Sequence, residues 1–145
     1  MTIFLLANSI FILGSMAYGW LAGDRHDREG VAWIVAALLG TALAQSFAQI
    51  SAQALVIQGV DVALLIAMIS LALRSDRYWP TWFAGLQFAT VCMSSAALLY
   101  PDLARLHTIG AFFGTLAILA MVIGIFLDRR AADRLRAPTA RRAET

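Results

Sequence analysis

Five stretches of this chain run for close to twenty residues with almost no charge, and no other feature constrains its fold as tightly. A hydrocarbon core of about 30 Å is crossed by about 20 helical residues rising about 1.5 Å each. The stretches are 3–21, 31–47, 55–73, 82–100 and 109–127. Lipid offers backbone amides no hydrogen-bond partners, so such stretches must be helical. The expected fold is all-α, a polytopic transmembrane helix bundle of five spans, followed by a basic tail at 128–145. With 61% hydrophobic and 14% charged residues and the single cysteine Cys92, the chain fits neither the disordered class nor the disulfide-stapled secreted class.

The boundary between spans two and three is the least marked, because residues 31–73 contain no Arg, Lys or Pro. Length decides it: those 43 residues as one helix would run about 64 Å, twice the hydrocarbon core. A reversal is therefore expected between Ser46 and Ala54, where Gln45, Gln49 and Gln53 fall at four-residue spacing. The rival reading is a re-entrant segment that leaves four spans.

Counting arginines sets the orientation. All eleven basic residues are arginine. With five spans, Arg25 and Arg28, Arg74 and Arg77, and the six of the tail (Arg129, Arg130, Arg134, Arg136, Arg141, Arg142) share a side, with Arg105 alone opposite. The positive-inside rule then puts the carboxyl terminus in the cytoplasm and the amino terminus outside. Four spans would spoil that asymmetry. Trp20, Trp33, Trp79 and Trp82 fall at the same boundary, the level that indole rings favour, and are expected as interface anchors. No basic n-region or small-residue cleavage pattern accompanies span one, so it is expected to be retained. The tail carries net +3, six arginines against Asp128, Asp133 and Glu144, which suits contact with anionic lipid. It is expected to continue span five as a helix that ends before Pro138.

Asp61 is the residue most apt to carry chemistry. A carboxylate at the centre of a span costs about 2.5–3.5 kcal/mol on insertion scales and so needs a partner or a proton. Two readings stand: an ion or proton site sharing a polar pocket with Gln58 and Gln45, or a carboxylate near the outer helix end, satisfied by the helix dipole, water or Arg105. The second is favoured while its depth is taken as moderate. Gln45, Gln49, Arg105 and His107 are the partners expected at similar height.

Other chemistries find no support. His26 and His107 lie at opposite ends of the bundle, so they cannot share a haem iron. The loop carboxylates Asp24, Asp27 and Glu29 are interleaved with arginines and read as a solvated connector without zinc or calcium spacing. Ser94 and Ser95 are mid-span, far in depth from either histidine, which disfavours a hydrolytic triad. Pairs of small residues (Ser15 and Gly19; Ala36, Gly40 and Ala44; Gly110 and Gly114) permit close helix packing, within the bundle or between copies. No cofactor, metal or nucleic acid is expected.

The densest local signal is Leu73-Arg74-Ser75-Asp76-Arg77-Tyr78-Trp79-Pro80-Thr81-Trp82, with Asp61-Val62-Ala63-Leu64 before it and Gly85-Leu86-Gln87 after. Residues 59–90 resemble a group of small bacterial inner-membrane proteins that share an Asp-Val-Ala-Leu helix followed by Leu-Arg-Ser-x-Arg-x-Trp-Pro-x-Trp. The resemblance implies a bacterial multi-pass protein of the inner membrane and brings no activity with it.

For want of a catalytic set, the first expectation is a non-catalytic accessory or assembly component, working through its helix faces and tail, with a membrane-protein partner or another copy. The alternative is an oligomeric small-solute or ion transporter or channel using Asp61. A holin-like pore rests only on size and a basic tail, and a membrane enzyme comes last.

Overall fold

A computed structural model describes residues 2–47, 50–100, 102 and 105–142 of the chain. These residues contain no strand and form α1 (Thr2–Ala22), α2 (Arg25–Phe47), α3 (Ile50–Arg74), α4 (Trp79–Leu99) and α5 (Arg105–Arg142). Four helices are long and apolar enough to cross a membrane, over Arg25–Ser46, Ala52–Arg74, Trp79–Leu99 and Thr108–Ala132. In α1 the apolar stretch is Leu6–Ala22. The chain is an all-helical membrane protein.

The boundaries of α2, α3 and α5 differ most from the sequence reading. Helix α2 begins at Arg25 rather than Val31 because Asp24 caps it: one carboxylate oxygen accepts the His26 and Asp27 amides at 3.0 and 3.1 Å. Asp27 reciprocates by accepting the Asp24 amide at 3.0 Å, a capping box hidden in a run that looked like loop. Helix α3 begins at Ile50, five residues before the expected start. Helices of 23 and 25 residues that pack against each other leave no room for a re-entrant segment. Helix α5 runs through Pro138 to Arg142.

Each helix packs against the next, and α1 against α5, so the five close into a ring. Sequential neighbours are antiparallel, and the odd number makes α1 and α5 parallel. Their close approach relies on Gly19, whose missing side chain leaves space for Val31, Met121 and Ile125. The packed core is one-sided. Met16, Val31, Met68, Trp79, Met121 and Ile125 are buried together in the half that ends at Asp24 and Arg77. Among the described residues, the buried hydrophobics of the far half are the alanines Ala44 and Ala97. One end of the ring is therefore a packed plug and the other is loosely filled.

Candidate functional site

The plugged end is closed by polar chemistry as well as by packing. Arg77, in the α3–α4 connection, reaches Asp24 between α1 and α2 at 2.6 Å and Asp128 on α5 at 2.7 Å. Arg28 Nε donates to the Trp20 carbonyl at 3.1 Å. Burial pushes the Asp24 carboxyl up, but the Asp27 amide and the Arg77 guanidinium outweigh it and hold the group below its usual value. The Asp128 bond, opposed by burial and seconded by Asp24, raises Arg77 above its ordinary value. These contacts bring both connections and the start of the tail to one end of the bundle, as the arginine count requires.

Trp79 and Asp27 correct the sequence reading. Trp79 is 2% exposed and Asp27 2% exposed, so neither an interface anchor nor a solvated charge describes them. The Trp79 indole donates to Asp27 at 2.7 Å. The ring slides between Gly30 of α2 and Gly124 of α5, where a methyl group would collide with it on either side. It also meets Phe83 edge-on, at 6.4 Å between centroids. Trp20, Trp33 and Trp82 do face outward, at 51%, 48% and 69% exposure.

Beyond the plug lies a cavity of about 370 Å³ lined by residues from all five helices. Asp61 opens onto it from α3, and Asn8, Thr41, Gln87 and Thr115 contribute polar atoms from the other four. Since α3 starts at Ile50, Asp61 is eleven residues from one end and thirteen from the other, about 16 and 20 Å along the axis. Asp61 therefore lies near the middle of α3, with the expected distance of about 20 Å from the Arg74 end. Its partner is Gln87, whose Nε2 donates to Oδ1 at 3.3 Å. Gln87 itself is 4% exposed.

The expected partners sit elsewhere. Gln45 and Arg105 are exposed and do not line the cavity. Gln49 and the side chain of His107 lie outside the described residues. Gln58 is turned toward α4, donating to the Val91 carbonyl at 3.2 Å and to Ser95 Oγ at 2.8 Å, so it ties two helices together instead of joining the pocket. The Thr90 hydroxyl, within 3.2 Å of the Leu86 and Gly110 carbonyls, ties α4 to α5. Gln87 carried no local sign of its role, because a lone glutamine in a span does not reveal which helix it faces. Three comparisons, with protein-family models, curated proteins and solved structures, find no match to this chain.

Proposed function

We propose that this is a small, non-catalytic, multi-pass protein of the bacterial inner membrane, with five spans, whose working site is the cavity around Asp61. It holds a small solute or ion at mid-membrane, as a transporter or channel would. The observation that carries the reading is a carboxylate near the middle of a span opening onto a cavity to which every helix contributes. Intramembrane carboxylates are costly, and where they face a cavity rather than a packed partner they mark ion or solute paths. Asp61 is the single titratable group among the described cavity residues, which leaves no acid and base pair for catalysis. The one-sided core supports a cavity closed toward the arginine-rich end. By the positive-inside rule that end is cytoplasmic, with the start of α1 outside. The bacterial origin is what the resemblance of residues 59–90 implies.

The test is a thermal-unfolding screen of the purified chain against small solutes, followed by uptake into proteoliposomes. Solutes that stabilise the wild type should lose their effect in Asp61→Asn. A screen without hits, or hits that persist in Asp61→Asn, would refute the reading.

A second reading, an accessory or assembly component, is favoured by α5, whose 38 residues are about twice what a bilayer needs. The surplus makes a basic helical arm suited to anionic lipid or to a protein partner. Co-purification of a partner by the full chain, lost on truncation after Arg130, would support it.

A further inference from the structure

We propose that the Asp61 cavity takes a lipophilic monovalent organic cation; the proposal rests on the cavity reading above and names its ligand class. Charge is the first argument. Among the described residues Asp61 has no cationic partner, and its one hydrogen bond comes from a neutral amide at 3.3 Å. Arg77 is committed to Asp24 and Asp128 at the far end of the bundle. A carboxylate so placed is neutralised by a proton or by a guest that brings one positive charge.

The walls decide which kind of guest. Ile12, Ile34, Ile57, Phe83 and Ile118 line the cavity, so most of a guest would meet hydrocarbon. Two of the hydroxyls are already engaged: the Thr90 hydroxyl shares its one proton between the Leu86 and Gly110 carbonyls, each at 3.2 Å, and Thr115 donates to Ala111. With no cation in its walls the site is ill-suited to an anion, and the neutral groups of Asn8, Thr41 and Ser94 leave polar contacts for a guest whose charge goes to Asp61. One carboxylate is also too sparse a ligand set for a bare divalent metal, which takes six or more oxygens. A volume of about 370 Å³ falls within the range of small-molecule pockets, roughly 300–1,000 Å³. Part of the space exists because residue 114 is glycine, where an added Cβ would meet nothing within 4 Å.

A proton and the cation compete for the same carboxylate. The cavity walls from α1, α2, α4 and α5 add no other titratable or charged group among the described residues. Affinity should therefore fall as pH falls, by up to about tenfold per pH unit once Asp61 is protonated in the empty protein.

The experiment is equilibrium binding of tritiated tetraphenylphosphonium to the full chain in detergent, with melting curves as a check on folding. The variants are Asp61→Asn, Gly114→Leu and, as a control, Gly59→Leu, which is equally free of contacts but lies outside the cavity. Wild type and Gly59→Leu should each show one saturable site, and the other two variants at least a tenfold loss. No saturable binding by the wild type, or equal binding by Asp61→Asn, would overturn the proposal. If Asp61→Asn fails to fold, Gly114→Leu with a normal melting curve decides: retained binding counts against the cavity. Should the phosphonium not bind while another solute still stabilises the wild type and not Asp61→Asn, the cation class falls and the cavity reading stands. Absence of any Asp61-dependent ligand ends both.

Discussion

Replacing Trp79 by phenylalanine tests the plug at its most constrained point. The indole hydrogen bond to Asp27 disappears, and a buried carboxylate oxygen is left without that donor. A hydrogen bond to a charged group contributes about 1.5–3 kcal/mol. The smaller ring also leaves a void between Gly30 and Gly124, at about 1 kcal/mol per methyl-sized gap. The sum is about 3 kcal/mol, a large share of the roughly 5–15 kcal/mol that holds a domain folded. Unfolding in mixed detergent micelles measures it, and a cycle with Asp27→Ala isolates the pair. The structure requires the two changes to couple by about 1.5–3 kcal/mol. Independent effects, or a Trp79→Phe chain within about 0.5 kcal/mol of wild type, would refute this account of the plug.

Gly124→Ala should destabilise the chain by about 1–3 kcal/mol, since its methyl group would sit against Trp79 Cβ at the α4–α5 contact; the same unfolding assay measures it. Acid should loosen the Arg77 end: the Asp24 carboxyl is lowered on folding, so its contribution is present above its unfolded value of about 3.9 and fades as pH falls through the folded one. Melting curves between about pH 6 and pH 3 should show that decline in wild type and much less of it in Arg77→Gln. Reporter fusions after Arg77 and Arg142 should mark the cytoplasm and one after Arg105 the periplasm; a periplasmic signal after Arg142 would reverse the topology.

Much of this architecture was legible in the sequence because membranes impose a length. Uncharged runs near twenty residues reveal helices without any knowledge of their neighbours, and the parity of arginines put both connections and the tail on one side without indicating that Arg77 bridges Asp24 and Asp128. What sequence reasoning missed were contacts between helices. Trp79 and Asp27 are 52 residues apart, and at a membrane boundary an indole and a carboxylate are each ordinary on their own. Asp61 and Gln87 are 26 apart, and nothing near either residue in the sequence marks them as partners. The start of α2 could have been found. Asp24 and Asp27 have capping-box spacing, but the arginines around them suggested a loop.

The central claim is that a cavity reaches Asp61 at mid-membrane, and thiol labelling tests it most directly. In a Cys92→Ser background, Thr115→Cys places a thiol in the cavity wall and Ile69→Cys places one on an exposed apolar face of α3. A small charged thiol reagent needs water to react. The account predicts that Thr115→Cys is modified in proteoliposomes, more slowly when Gly114→Leu fills the space beside it, while Ile69→Cys stays unreactive in lipid. Equal inertness of both thiols would contradict it.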